Sequence, residues 1–282
     1  MKFNMNKKNL FAGICGVVII AIVIIVYFLF FQQKPEKAPS SVTETEKKVP
    51  EQVQVEEKPI PTEAVRSTIR WDEVELDKSD PVLRNEARNI SSHPQIEDWL
   101  NKPNLVRKFV GATDNVVDGL SPRSFLSFLA PRGRFEVYEK YGSSYLDPNC
   151  YSRYNRVADV VSSLSTQECL KLYKELKPLI QEAYAQLGYP NKDFNATLQV
   201  AVVELLETPI VEGDIMLEQR VVTYKMVDPK LENLSPAQKH LLRMGPKNVR
   251  KIQDKLREVA RTLGIPEDKI PKSKVYVPSN KK

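Results

Sequence analysis

The sequence predicts a mainly α-helical globular domain with a small antiparallel β-sheet, preceded by one N-terminal transmembrane helix and a disordered linker. Three observations carry that expectation. An uncharged apolar run fills positions 10–31, a proline- and charge-rich stretch fills 32–64, and from about Trp71 onward apolar residues recur at the three- and four-residue spacing of helices. The chain has 282 residues, 41% hydrophobic and 28% charged, and its 42 Lys plus Arg against 36 Asp plus Glu leave a net charge of +6. That describes a folded, mildly basic protein with enough chain for a substantial core.

Leu10 to Phe31 is 22 residues without a charge, and as a helix it would span roughly 33 Å, the thickness of a bilayer core. A cleaved signal peptide would show a shorter apolar run ending in small residues, but Tyr27-Phe28-Leu29-Phe30-Phe31-Gln32 offers no such site. Ile14 before Cys15 likewise does not fit a lipoprotein signal. Residues 1–9 then form a cytoplasmic head. Lys2, Lys7 and Lys8 favour a cytoplasmic N-terminus, although Lys34, Lys37, Lys47 and Lys48 nearly balance them.

Residues 32–64 hold five prolines, twelve charged residues and no aromatic residue, so they cannot bury enough apolar surface to offset their ordering entropy. The globular, mostly helical domain is expected over 65–264. Ser79-Asp80-Pro81 starts a helix, a short one surrounds His93 to Leu100, and Leu105, Phe109, Ala112 and Val116 mark an amphipathic helix over 103–118 that Gly119 stops. Arg134 to Glu139 alternates like a strand and Tyr141-Gly142-Ser143-Ser144 is turn chemistry, which makes one small hairpin. Asp147-Pro148 opens a helix to about Ser163, and Ser165 with Glu168 forms a capping box for another that runs to Gly188. Pro178 lies within it, and because Lys177 is a poor cap, one kinked helix is favoured over two. Helices over 194–207, 236–244 and up to Leu263 follow, with a strand over 216–227 and a basic tail over 265–282.

Several activities are excluded by composition. No two glycines stand two, four or five residues apart, which removes the dinucleotide loop, the serine-hydrolase elbow and the P-loop. His93 and His240 cannot form a zincin helix, and Cys15, Cys150 and Cys169 contain no C-x-x-C pair. Neither a metal nor a cofactor is expected, and no residue is assigned a catalytic role. If the helices around Cys150 and Cys169 are antiparallel, the two cysteines lie roughly 20 Å apart, too far for a disulfide. They read as small buried hydrophobes.

Two groups of residues stand out. Asp114 and Asp118 lie one turn apart at the negative end of a helix, with Asn115 between them, so a cation should approach. Arg153, flanked by Tyr151 and Tyr154, is the candidate, and Arg243 joins the same polar network. A buried structural network, an acid/base site and a merely solvated pair all remain open; Glu204 and Glu207 are weaker candidates. In the last helix, Lys247, Arg250, Arg257 and Arg261 lie opposite the stripe Val249, Ile252, Leu256, Val259 and Leu263. Residues 237–263 carry eight basic residues against two acids. This face suits an anionic lipid or cell-wall polymer, or is simply solvated.

Tyr151-Ser152-Arg153-Tyr154, Leu172-Tyr173, Pro178-Leu179, Glu182-Ala183-Tyr184, Leu187-Gly188-Tyr189-Pro190 and the run Gln238 to Asn248, with its Arg243-Met244-Gly245-Pro246, are similar to an uncharacterised family of bacterial single-span envelope proteins known only as a domain of unknown function. Asp114-Asn115 and Gly119 also fit it. The resemblance covers roughly Asp72 to Leu263 and implies a single-pass protein of the bacterial inner membrane with a periplasmic globular domain; it implies no activity. The expectation is a non-enzymatic binding or scaffolding module, membrane-anchored, with an envelope protein as a further partner and no nucleic acid. The alternative is an envelope enzyme using Asp114, Asp118 and Arg153.

Overall fold

The computed structural model describes residues 69–279, which belong to one compact unit. Among them no helix is long and apolar enough to cross a membrane. That overturns the membrane-spanning part of the expected fold class; the span assigned to 10–31, the head and the linker lie outside the described residues. What stands is a mainly helical globular domain with a small antiparallel sheet.

The helices are α1 (Ser79–Glu86), α2 (Ile96–Leu100), α3 (Leu105–Val117), α4 (Asn155–Ser163), α5 (Thr166–Glu175), α6 (Lys177–Gln186), α7 (Phe194–Leu206), α8 (Pro229–Glu232), α9 (Pro236–Leu242) and α10 (Pro246–Thr262). Strands β1 (Val137–Lys140), β2 (Ser143–Leu146), β4 (Met216–Gln219) and β5 (Tyr224–Met226) form an antiparallel sheet in the order β1-β2-β4-β5. β3 (Ile210–Val211) pairs in parallel with β6 (Val275–Tyr276). Local chemistry sets several of the boundaries. Asp193 accepts the Asn195 amide at the start of α7, and Ser235 with Gln238 makes a reciprocal capping box at α9. At the end of α3, Leu120 N–H donates to Asn115 O and Gly119 N–H to Val116 O, with Gly119 at φ 68°, a left-handed termination that favours glycine.

Four expected features differ. The kinked helix is two helices, α5 and α6, because Pro178 falls in the first turn of α6, where the amide it lacks would have no helical partner anyway. The stretch from Asp147 to Ser163 starts as a 3-10 turn over Pro148–Tyr154 and becomes α-helical only at Asn155. The strand over 216–227 is a hairpin, turned at 220–223 by a hydrogen bond from Arg220 N–H to Thr223 O (2.8 Å). Residues 265–279, read as tail, belong to the fold through buried Ile265 and Ile270 and through β6.

Around Val110, Leu179, Ile180, Tyr184 and Phe194 the first helices build one core, and Leu146, Ile215, Leu217, Met226 and Leu242 build a second beneath the sheet. α10 packs against α4 and α7, burying Val249, Ile252 and Ala260. It also buries two amides. Gln253 Nε2 donates to Leu205 O (3.3 Å), Leu206 O (3.2 Å) and Thr208 O (2.8 Å), three carbonyls at and just beyond the end of α7. Asn248 Nδ2 donates to Tyr151 O (3.0 Å), Asn155 Oδ1 (3.0 Å) and Met244 O (2.9 Å). Cys150, buried, and Cys169, half-buried, are both free thiols.

Asp228 ties the C-terminal segment down. It accepts hydrogen bonds from Tyr276 Oη (2.6 Å), Ser279 N (2.9 Å) and Lys230 N (2.9 Å). Burial alone would raise its pKa, but these bonds and the Lys230 charge outweigh it and hold the carboxyl below the ordinary carboxylate value. A depressed folded-state pKa contributes stability that is present above the unfolded value and lost as pH falls through the folded one. Asp228→Asn turns an NH2 toward donors and should cost about 2–3 kcal/mol at neutral pH. A melting temperature equal to wild type would show that the anchor is not needed.

Candidate functional site

The acidic pair at the end of α3 is partly solvated: Asp114 is half-buried and Asp118 exposed. Burial and then the Asp118 charge raise the Asp114 pKa, against an opposing pull from Lys192. Lys192 lies 4.5 Å from the Tyr189 ring centroid, and the Asp114 charge is the main cause of a raised Tyr189 pKa. The two carboxylates therefore face the α6–α7 connection. Asn115 turns away from them, donating to Ser121 O (3.2 Å) and Ser124 Oγ (3.4 Å).

Arg153 forms no ion pair with Asp114 or Asp118 among the described residues. Its Nε donates to Cys150 O (3.0 Å), its Nη1 to Gly133 O (3.4 Å), and its guanidinium lies 5.6 Å from the Tyr154 centroid. The expected network is thus divided. Asp114 and Asn115 lie in the last turn of α3 and Asp118 just after it, whereas Tyr151, Arg153 and Tyr154 belong to the turn before α4, and Arg243 to the end of α9. Asp118 keeps its solvent, so it needs no arginine.

What the structure does assemble is a cationic face from three segments. Residues 121–135 run over α3, where the Phe125 ring lies so close to Gly111 that a Cβ there would stand 2.4 Å from it. The 148–154 turn is seated the same way: Gly245, at φ 84°, leaves room for the Tyr151 ring, and a Cβ would stand 2.3 Å from that ring. Asn248 then bonds the turn to the start of α10. Gly133, flanked by exposed Arg132 and Arg134, receives the Arg153 hydrogen bond. Ser121 Oγ lies 3.3 Å from His240 Nδ1. Burial pulls the His240 pKa down, and the Arg243 and Arg123 charges add to it, which places both guanidiniums near the ring.

Arg123, Arg132, Arg134, Arg153, Arg156 and Arg243 have no carboxylate within ion-pair distance among the described residues, and Lys247 beside them has none either. The expected stripe along α10 is the opposite case. Arg250 pairs with Glu212, Arg257 with Asp254 (3.1 Å), and Arg261 with Glu267 through two contacts of 3.0 Å. Of the four stripe residues, only Lys247 remains uncompensated. His240 and the arginines at 123, 132, 134 and 156 escaped the sequence reading. The available signal was segment 121–135, which has three arginines, three phenylalanines and no acid. No group of three or more His, Cys, Asp or Glu suited to a metal occurs among the described residues.

The acidic pair provides a test of its own. Since the folded state raises the Asp114 pKa, it binds a proton more readily than the unfolded chain, and stability falls as pH rises through the window between the two values. Asp114→Asn should raise the melting temperature modestly at neutral pH. The gain should vanish below about pH 3, where the carboxyl is protonated in both states. A lower melting temperature at neutral pH would mean that the charged carboxylate is held by an attractive contact.

No curated protein and no solved structure is significantly similar to the chain. Residues 105–260, more than half of the chain, match a family described as a protein of unknown function, DUF3014. The matched region begins at α3 and ends within α10, so it contains every residue of the cationic face as well as the Asp114 and Asp118 pair. The chain belongs to the DUF3014 family.

Proposed function

We propose that the domain is a non-enzymatic binding module for a partner carrying phosphate or carboxylate groups, and that the arginine face is its contact. The observation that supports this is the division of the arginines: those on α10 are paired with neighbouring acids, whereas those on the 121–135, 151–156 and 243 segments, which the Arg153–Gly133, Ser121–His240 and Tyr151–Gly245 contacts link, have no acid within ion-pair distance among the described residues. Like charges brought together repel, and a fold gains from that arrangement only when an anion supplies the missing charge. Guanidinium groups suit the role because they bond carboxylate and phosphate oxygens in pairs and keep their charge at every accessible pH. An anionic lipid headgroup or a cell-wall polymer of a bacterial envelope, with the domain in the periplasm, fits this chemistry.

The test titrates the full-length protein, in nonionic detergent, with labelled polyphosphate, with labelled polyglutamate, and with micelles doped with phosphatidylglycerol. Binding to at least one should weaken steadily as salt is added. Each lost cation is worth about 1 kcal/mol at low salt, so Arg123→Gln, Arg132→Gln, Arg134→Gln and Arg243→Gln together should lower affinity at least about tenfold. Arg250→Gln, Arg257→Gln and Arg261→Gln together should change it less. Equal affinity of the first variant and wild type would remove the arginine face from the reading.

A further inference from the structure

The two hairpins of the sheet break the usual chemistry of tight turns in the same way. Between the paired residues Lys140 and Ser143 the loop is Tyr141-Gly142, with φ of 52° and 70°. A two-residue turn with both φ positive favours asparagine or aspartate at its first position, because a bulky residue in the left-handed region is strained. Here the position holds a tyrosine that is 93% exposed. In the second hairpin Val221 and Val222 occupy the tip between Arg220 and Thr223, and they are 99% and 90% exposed. β-branched side chains are poor turn formers, and at this exposure they contribute nothing to the core. Departures from local rules without a stabilising gain mark functional positions.

Register brings the two tips together. Ser144 pairs with Leu217 and Tyr145 with Met216, so the start of β2 lies beside the end of β4 and both turns project from one end of the sheet. The order of chemistry with distance from that end is also shared. Apolar and aromatic side chains come first, one cation follows immediately at each tip, Lys140 and Arg220, and an acid stands behind each, Glu139 one residue and Glu218 two residues further back. Lys140 Nζ is bonded to Asp214 (2.9 Å) and Arg220 lies 3.4 Å from Glu218. Both cations are about half exposed, so water or a phosphate oxygen can replace those partners at little cost.

We propose that Tyr141, Val221 and Val222 form a lipid-docking edge that enters the interfacial layer of a phospholipid bilayer, with Lys140 and Arg220 at the level of the phosphates. Projecting tips suit a deformable surface, whereas a protein partner would need a matching cavity. The tyrosine carries an apolar ring and a polar hydroxyl, as an interfacial side chain should. The cations following the apolar residues complement phosphate where the headgroups lie. This edge is built from residues separate from the arginine face, so either reading can fail without the other.

The test places tryptophan at the tips of the full-length protein, as Val222→Trp or Tyr141→Trp, with Asp268→Trp near the end of α10 as a control; the parent signal from Trp71 and Trp99 is subtracted. Vesicles contain equal parts phosphatidylcholine and phosphatidylglycerol, with bromine on the acyl chains near the headgroup. Tip tryptophans should shift to the blue and be quenched, and Asp268→Trp should not. Adding Val221→Asp and Val222→Asp to Tyr141→Trp should abolish the quenching while the circular dichroism and melting temperature hold. Unquenched tips, equal quenching at position 268, or quenching of Tyr141→Trp that survives the aspartates would each overturn the proposal. So would a concentration-dependent shift without vesicles, which would assign the edge to a second copy of the chain.

Discussion

Two buried carboxamides on one helix hold the parts of this domain in register. Gln253 and Asn248 are 0% and 1% exposed, and each directs its NH2 group at three acceptors. A buried NH2 group without partners would cost several kcal/mol on the scale of about 1–3 per unmade bond, so the seating of α10 depends on both sets of acceptors. Gln253 thereby fixes the end of α7 and the approach to β3, against which the C-terminal segment pairs. Five residues earlier, Asn248 fixes the 151–155 turn. From that turn follow the contact of Tyr151 with Gly245, the hydrogen bond of Arg153 to Gly133, and the placement of the arginines around them.

The same helix separates two electrostatic regimes. Its outer face, rich in arginine, is matched residue by residue with Glu212, Asp254 and Glu267, and such exposed pairs contribute little to stability but remove free charge. Around its first turn the cations come from three distant stretches of chain, and among the described residues none of them is within ion-pair distance of an acid. Charge count alone does not distinguish these cases. Both stretches are basic in sequence, and only the fold shows which one has already used its charge.

Periodicity and capping made much of the architecture legible. The apolar spacing from Leu105 to Val116, the glycine that stops it, the Asp193 and Ser235 caps and the Tyr141-Gly142 turn are local signals, and each element they mark is present. Misread features depended on distant partners. Pro178 was ambiguous because the same residue kinks one helix or opens another, and packing of α5 and α6 decides between them. The hairpin over 216–226 carries valines where turn residues are expected, so its turn had no local signature. Residues 265–279 appear polar in sequence, yet Asp228, nearly fifty residues away, holds Tyr276 and Ser279. Charge alone directs Arg153 to the acids at the end of α3, but the carbonyls of Cys150 and Gly133 lie within its reach, and only Asp118 of the two acids is exposed.

Whether α10 governs the rest is open to direct measurement by hydrogen exchange on wild type and Asn248→Leu, which keeps the volume of the side chain and removes its three donated bonds. If the amide of Asn248 holds the turn and the cationic face as one unit, exchange should accelerate together in 148–156, in 121–135 and in the first turn of α10, while α3, α6 and α7 remain protected. Acceleration confined to the immediate neighbours of position 248, with 121–135 exchanging as in wild type, would contradict it.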